Sequence, residues 1–522
     1  MTGQSISAQK PLSFIADARR HQFTTPLVQF SINWEVPSLR APGLRTAKPA
    51  PAPLSDDAPL SFYTGLSMSY SAAIDQLSAL APELYTQPGH ARRKFSLDEI
   101  AVLLVELGNP HQRFPSVLIA GTNGKGSTAA TLASIAQESG LRTGLYTSPH
   151  LERPNERIRI NAVEISDDDF ARLYFRVHDT AQQLVRAGTL AQMPSFFETL
   201  TAMALLHFAE QAIDVAVLEV GMGGRLDATN IVHPLLSVIT DISLDHTEWL
   251  GSTIAAITRE KAGILRSHGT LVTLPQHPEA NQTLGEIATQ LDVRAVNAAA
   301  FMPPVPAADP NSPYTIEVLG TAIQVHSPLH GAHQHRNLAL AIAAAVELAS
   351  AHALPITPLS IERGIRATSW PGRLESILAH DPETHAPTQW VLDVAHNPAG
   401  AWALRAGLRD ELAAASSRVL VFSCLRDKPL AEMAQILFPL FDRIVFAPIH
   451  SARATPIPDL LAAAQATGAP AVAAGSVDEA LQLAAGKAPS APLIVVSGSV
   501  YLVGEARSLL LAHTPRPTGV HP

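Results

Sequence analysis

The strongest chemical signal in the chain is the run Gly121-Thr122-Asn123-Gly124-Lys125-Gly126-Ser127-Thr128. It follows a short apolar stretch, 116–120, and leads into residues 128–139, which carry helical spacing. Glycines let backbone N–H groups curl around phosphate oxygens, and a helix start adds partial positive charge. Lys125 can neutralise outer phosphates, and Ser127 or Thr128 can reach a magnesium ion. The run departs from the pattern G-x-x-x-x-G-K-[ST], because Gly126 separates the lysine from the hydroxyl residues. A generic glycine-rich turn is the plain alternative; the strand–helix context and the lysine argue against it.

Two further strand ends bring an acid and an imidazole toward the same place. The buried run 213–220 carries Glu219 near its end, followed by Gly221-Met222-Gly223-Gly224-Arg225-Leu226-Asp227. The run 236–242 leads into Leu244-Asp245-His246-Thr247. Open parallel sheets bind ligands beyond the carboxyl ends of their strands, so these groups should meet the Lys125 loop in a nucleotide–metal site. Taken singly, Glu219 could pair with Arg225, and His246 could cap a helix. Lys261 falls on the apolar stripe of Ile254, Ile257 and Ile264. A lysine there is either paired with a carboxylate or held with a depressed pKa. A neutral amine can add carbon dioxide, giving a carbamate with oxygen ligands for magnesium, whereas a snorkelling or salt-bridged lysine is the ordinary alternative.

The elements that position these residues alternate along the chain. Segments 116–120, 213–220 and 236–242 have the length and Val/Ile content of buried parallel strands. The Pro/Ala-rich stretch 298–313 reads as a surface excursion. Near Trp370-Pro371-Gly372 the pattern restarts, with strands expected at 389–394, 419–424, 443–447 and 492–497 and helices at 399–414 and 456–467. A second, smaller doubly wound unit is therefore expected from about residue 370. The first 67 residues hold eight prolines and no sustained period. They read as a disordered extension, with Met68, just ahead of the patterned segment 70–84, as an alternative start.

Length and composition set outer limits. The chain has 522 residues, 47% hydrophobic and 16% charged, enough for about three domains and a large core. A net charge of −9 argues against nucleic acid as a partner. The lone cysteine, Cys424, excludes a disulfide framework and thiolate zinc clusters, and sits among apolar neighbours as a buried thiol. No apolar run is long enough to span a membrane, and the N-terminus lacks a signal-like apolar core. The expectation is a soluble, cytoplasmic α/β protein.

An ordered series of motifs carries a family resemblance. The loop 121–127, Thr147-Ser148-Pro149-His150, Asn155-Glu156-Arg157-Ile158 and the run from Glu219 through Asn230 resemble the folylpolyglutamate synthases. So do Leu244-Asp245-His246-Thr247, Glu260-Lys261-Ala262-Gly263-Ile264, His333-Gln334-x2-Asn337, Pro371-Gly372-Arg373-Leu374-Glu375, Asp393-Val394-Ala395-His396-Asn397-Pro398 and Ser497-Gly498-Ser499-Val500-Tyr501. That family, whose bacterial members are often bifunctional dihydrofolate synthases, belongs to the Mur-ligase-like ATP-dependent amide ligases. The resemblance runs from about Met68 to Tyr501 and leaves the N-terminal extension outside.

The resemblance implies an N-terminal P-loop-type ATPase domain with a mainly parallel sheet, 68–369, and a smaller C-terminal Rossmann-like α/β glutamate-ligase domain, 370–522. It implies ATP phosphates on Gly121–Thr128 and magnesium at Ser148, Glu219 and His246, with Ser127 in reach and Lys261 carboxylated. Lys125, Lys261 and His246 would be the catalytic set, and the family allows a monovalent cation. Asn337, Arg373 and Asp393 match nucleotide contacts; His396 is expected near the nucleotide or the incoming glutamate, as is the loop at Ser423. Ser195-Phe196-Phe197-Glu198 and Leu226-Asp227-Ala228 resemble the stretches that hold the pterin. Substrates would be dihydropteroate or reduced folate, L-glutamate and ATP, with no nucleic acid or membrane partner and a monomeric state.

Several of these residues have plainer readings. One of Phe196 and Phe197 could be core, Asn337 could merely cap its Ala/Leu helix, and Arg373 could form a surface ion pair. Asp167-Asp168-Asp169 after Ser166 reads as a charged helix N-terminus and not as a metal cluster. Two other functions stand beside the ligase. A cell-wall Mur ligase would share the loop and the Lys261 helix but need an N-terminal nucleotide-sugar domain that the first 67 residues cannot form. A regulatory nucleotide-binding protein would be expected to have lost Lys125, Glu219 or His246, and all are present.

Overall fold

The computed structural model of the chain describes residues 69–80, 96–304, 309–380, 387–486 and 492–512. All of them fall within one unit, Ser38–Pro522. The proline-rich stretch 1–67 and residues 81–84 of the first patterned segment lie outside the described residues, as does part of the excursion 298–313.

The larger sheet contains β1 (Ser116–Ala120), β2 (Thr143–Tyr146), β3 (Ile158–Ile160), β4 (Val163–Glu164), β5 (Val215–Glu219), β6 (Leu236–Ile239), β7 (Thr270–Thr273) and β8 (Arg294–Asn297). Their order is β4-β3-β2-β5-β1-β6-β7-β8, and only β3 and β4 run antiparallel to their neighbours. Every residue of β1 and β5 is buried, because helices cover both faces. Alternation sends Leu118 and Ala120 to one hydrophobic core and Val117 and Ile119 to the other. The chain leaves β1 for β2 on one side, while β6 and β7 lie on the other, so strand order reverses at β1. A crevice opens beyond the carboxyl ends of the strands at such a point.

A hairpin of β9 (Tyr314–Val318) and β10 (Thr321–Val325) precedes the long helix His333–His352. The smaller sheet then forms from β11 (Glu375–His380), β12 (Pro387–Asp393), β13 (Arg418–Phe422), β14 (Arg443–Phe446), β15 (Ala471–Ala473) and β16 (Leu493–Ser497). Its order is β11-β12-β16-β13-β14-β15, with β11 antiparallel and the rest parallel. No helix among the described residues is long and apolar enough to cross a membrane.

Several expected elements end a few residues from where they were read, the run 213–220 for example as Val215–Glu219, and two differ for a reason the structure displays. The strand expected at 236–242 stops at Ile239, because Thr240 turns its hydroxyl to the Asn123 carbonyl at 2.8 Å and joins the phosphate loop. The helix expected at 399–414 is two, Pro398–Gly407 and Arg409–Ala414, broken at Leu408. Cys424 lies buried just past β13, its Sγ 3.4 Å from the Thr455 hydroxyl, and burial raises its thiol pKa. Ser166 caps the helix Asp167–Arg186 by accepting the Asp169 N–H, as a charged helix N-terminus requires.

The helix that leaves the phosphate loop, Lys125–Glu138, is held from behind by small residues. Gly364, in the helix Pro358–Ala367, lies so close that a Cβ there would sit 2.4 Å from the Ile135 Cα. Its carbonyl also accepts the Ser134 hydroxyl at 2.7 Å. Alanine is worth about 1 kcal/mol over glycine inside a helix, but here it meets backbone that cannot step aside. Gly364→Ala is therefore expected to destabilise by about 1–3 kcal/mol, seen as a lower urea midpoint at unchanged m-value; a higher midpoint would show that the helices can part without cost.

Candidate functional site

The loop after β1 is tied to the end of β6 before any ligand arrives. The N–H groups of Thr122 and Asn123 donate to the Asp241 carbonyl at 2.8 and 3.3 Å. The Thr122 hydroxyl donates to the Ser243 carbonyl and accepts the Ser243 N–H, both at 3.1 Å. Gly124 takes φ +86°, a left-handed conformation that a side chain would strain, and its missing Cβ leaves room for Asn337, whose Oδ1 would lie 2.1 Å from it. Gly124 has no side chain with which to cap the helix Lys125–Glu138, and no side-chain cap bond is made there. Free N–H groups at the start of a long helix suit an anion. Lys125 folds back to donate to the Thr122 carbonyl at 3.2 Å, while Ser127 and Thr128 are buried in the helix's first turns.

Asn337 is not a cap. The helix begins at His333, and Asn337 lies one turn inside it, with its amide donating to Gln334 Oε1 at 2.7 Å and its oxygen facing Gly124. The pairing of Glu219 with Arg225 does not form either: Arg225 reaches Glu260 at 3.0 Å. Glu219 is 4% exposed and accepts the Ser148 N–H at 3.1 Å. Burial pushes its pKa up, against the pull of Lys125, the Ser148 N–H, Arg373 and Arg157. His246 does occupy the residue before the helix Thr247–Leu250, in a left-handed conformation, but its ring makes no capping bond. Burial, with Lys428, Lys261 and Lys125 nearby, overcomes Asp245 and lowers the ring's pKa to about 3, which leaves a neutral imidazole at physiological pH.

Lys261 is 4% exposed and donates to the Gly121 carbonyl at 2.6 Å, with no carboxylate in an ion pair among the described residues. Burial first, then the charge of Lys125, brings its pKa down to about 7. The apolar stripe thus delivers an amine that is substantially neutral near pH 7 to the root of the phosphate loop. Among the described residues no cluster of three or more His, Cys, Asp and Glu side chains forms a ready metal site. The residues expected to hold a metal are Ser148, whose N–H donates to the buried Glu219 carboxylate beside it, and neutral His246, which lines the same cavity as Ser148. A hard divalent cation favours such an oxygen-rich set, and a buried carboxylate held by one backbone donor has lone pairs to spare, so magnesium fits these residues.

The second sheet closes the site from the other side. Asp393 accepts the N–H groups of Leu374 at 2.9 Å and Ala395 at 2.8 Å. Burial raises its pKa, opposed by Arg373 and His333. Arg373 is partly buried between the charges of Asp393 and Glu219, and so is not a surface ion pair. His396 directs Nδ1 at the Val394 carbonyl, 2.8 Å away, and burial and Lys428 lower its pKa to about 4. Two residues that sequence reasoning did not single out complete the junction. Lys428 is buried in an ion pair with Asp245 at 2.7 Å, and Asn397 bridges Asp245 and Asn123 with bonds of 3.1 and 3.0 Å. Asn397 belongs to the run Asp393-Val394-Ala395-His396-Asn397-Pro398, whereas Lys428, 183 residues from its partner, carries no local signal.

A cavity of about 680 Å³ lies between the two sheets, lined by Ser148, His246 and Lys428 among others. Ser195, Phe197, Glu198, Leu226, Asp227 and Ala228 all face it. Ser195 and Glu198 bond reciprocally as the cap of the helix Phe196–Glu210. Asp227 is a clamp for its own loop, accepting the N–H groups of Gly221, Met222 and Thr229 at 3.0 Å and the Thr229 hydroxyl at 2.6 Å. Phe196 does not line the cavity; its ring lies under the Arg157 guanidinium at 5.2 Å, because successive helix residues point about 100° apart.

Residues 119–345 match the Mur ligase middle domain, and residues 372–500 match the Mur ligase, glutamate ligase domain. The dihydrofolate synthase/folylpolyglutamate synthase of Bacillus subtilis is 34% identical over 432 residues, spanning 81% of this chain and 97% of its own. The structure of Mycobacterium tuberculosis folylpolyglutamate synthase complexed with ADP and AMPPCP superposes with a TM-score of 0.72 at 34% identity, covering 80% of this chain and 95% of that one. The Escherichia coli FolC structure in complex with DHPP and ADP gives 0.70 at 29% identity, covering 85% and 98%. With this identity across nearly the full length of the relatives, the chain belongs to the dihydrofolate synthase/folylpolyglutamate synthase family of Mur-type ligases.

Proposed function

We propose that the protein is an ATP-dependent ligase that joins L-glutamate to a folate carboxylate, acting both on dihydropteroate and on reduced folate that already carries glutamate. One observation carries this reading. A phosphate loop with Lys125 at its helix start, and Lys261 on its Gly121 carbonyl, adjoins a cavity lined from both sheets. We read 68–369 as the ATP-binding domain and 370–522 as the glutamate-ligase domain of a cytoplasmic monomer.

A carboxylate is a poor acyl donor. One of its oxygens therefore attacks the γ-phosphorus of ATP, and ADP leaves with the bridging oxygen. The neutral amine of L-glutamate then attacks the acyl carbon; the tetrahedral intermediate loses inorganic phosphate, the nitrogen loses a proton, and an amide remains. Lys125 and the free N–H groups of its helix offset charge on the transferring phosphoryl group. Ser127, Ser148, Glu219, His246 and Lys261 as a carbamate would hold magnesium, which when bound supplies further charge neutralisation. Asn337, Arg373 and Asp393 take the nucleotide, and His396 lies toward the nucleotide or the incoming amino acid. Ser195, Phe197, Glu198, Leu226, Asp227 and Ala228 shape the pterin pocket. Because water competes with the amine for the acyl phosphate, the enclosure between the sheets is part of the chemistry.

The direct test is ADP release from full-length protein with magnesium, ATP and L-glutamate, adding dihydropteroate or tetrahydrofolate in separate reactions. Release with both is expected, release with one names the activity retained, and release with neither from folded, ATP-binding protein overturns the reading. Lys125→Ala should lower kcat by about 10²–10³-fold or more, as removal of a preorganised charge donor does, while the thermal midpoint holds; full activity would remove the lysine from the chemistry. Lys261→Ala should lose activity and regain part of it with millimolar short-chain carboxylates. Carbon dioxide adds only to the neutral amine, whose fraction grows as pH rises past about 7. Recovery of wild-type activity after carbon dioxide is stripped and returned should therefore quicken with pH through that value and then level off. A pH-independent recovery, or a fully active alanine variant, would dispose of the carbamate.

A further inference from the structure

The cavity between the sheets is rich in cations, but most of them are spoken for. Arg225, Arg453, Arg507 and Lys428 each face a carboxylate at 3.0 Å or closer. Arg159, on β3, differs. It lines the same cavity, its side chain is 16% exposed, and its Nε is buried with no hydrogen-bond partner. Its ion pair is a single 3.3 Å contact to Glu164, itself 36% exposed. An unmet donor on a largely buried guanidinium is costly, and native structures retain such groups where a ligand completes them.

The setting indicates what that ligand presents. The Arg159 guanidinium lies over the Trp370 ring, its Cζ 5.6 Å from the centroid. The other side of that contact chain is the phosphate loop, since a Cβ on Gly126 would lie 2.9 Å from the Trp370 Nε1. Arg159 is thus separated by one indole from the loop that takes the reacting phosphoryl group. An acceptor whose reacting carboxyl lies at that loop would bring any second anionic group, a few bonds away, toward Arg159.

We propose that Arg159 is a specificity residue that binds the α-carboxylate of an acceptor already carrying glutamate, while the γ-carboxyl is presented to the phosphate loop. The assignment rests on the folate-ligase reading and deepens it. Dihydropteroate has only its reacting carboxylate, so Arg159 distinguishes chain extension from the first glutamate addition. The Trp370 ring under the guanidinium helps fix its place, and the unpartnered Nε, with the weakly held Nη2 beside it, is left for a carboxylate.

The test uses full-length protein with ADP and magnesium present, and equilibrium binding of a reduced folate monoglutamate and its α-amide analogue, in which a neutral amide replaces the α-carboxylate. A hydrogen-bonded charge contact of this kind corresponds to about a 10- to 100-fold preference for the acid over the amide in wild type. Arg159→Gln should bring that ratio close to one, and Arg159→Lys should restore part of it, with near-UV circular dichroism confirming the fold of each. Equal wild-type affinity for acid and amide overturns the proposal without any variant. So does an undiminished ratio in Arg159→Gln. Wild-type protein that binds ATP but neither pterin compound defeats the folate reading itself, a different result from either of these.

Discussion

The junction of the two sheets depends on Asp245 and Lys428, an ion pair taken almost wholly out of water. Desolvating two charges costs several kcal/mol each, and their attraction offsets this only where the remaining lone pairs are satisfied. Here they are. The carboxylate also accepts the Asn397 amide and the His246 N–H, and Lys428 and the neighbouring imidazoles hold its pKa well below the usual carboxylate range. A pair of this kind adds little net stability over an apolar contact, but either charge left alone would be intolerable. It therefore acts as a registration device. Only one seating of the smaller sheet brings Lys428 to Asp245 while Asn397 meets Asn123 in the phosphate loop. The loop after β1 and the smaller sheet are positioned by the same few bonds.

The two lysines of the loop work through each other in a similar way. The charge on Lys125, proposed above to meet phosphates, stands close enough to Lys261 to help keep the second amine from holding its own proton. A helix that places a lysine among Ile254, Ile257 and Ile264 would ordinarily be destabilised by it. The cost is offset by a 2.6 Å bond to the Gly121 carbonyl and by partial loss of the proton. Local instability at Lys261 is thus what would make it reactive in the proposed carbamate chemistry, a common pattern where function and stability compete.

Much of this was legible in the order of the residues. The short apolar runs that end in Gly121, Glu219 and the turn to Asp245 mark parallel strands by length and composition, and one topological rule then places their ends together. Legibility failed where an outcome depended on rotation or distance. Phe196 and Phe197 are equally apolar, and only the helix phase, set at Ser195, decides which faces the cavity. Asn337 resembles a cap until the helix is seen to start at His333. Lys428 looks like any loop lysine, and its buried role comes from an aspartate 183 residues away.

Charge shows the same division between global and local information. A net charge of −9 speaks against nucleic acid, but says nothing about where individual charges go. The substrates proposed for this site are all anions, and an evenly acidic surface would repel them. The fold resolves the conflict by sorting. In the cavity lining basic side chains outnumber carboxylates, although the reverse holds for the chain. Most of those cations are then tied to carboxylates at the rim, which fixes their geometry and tempers the field. From Lys125 past Trp370 to Arg159 the charges stand against an indole wall of low dielectric, where each counts for more than it would in water. Recognition of an anion in an acidic protein then turns on which cations keep a donor free, as the Arg159 Nε does, not on how many cations there are.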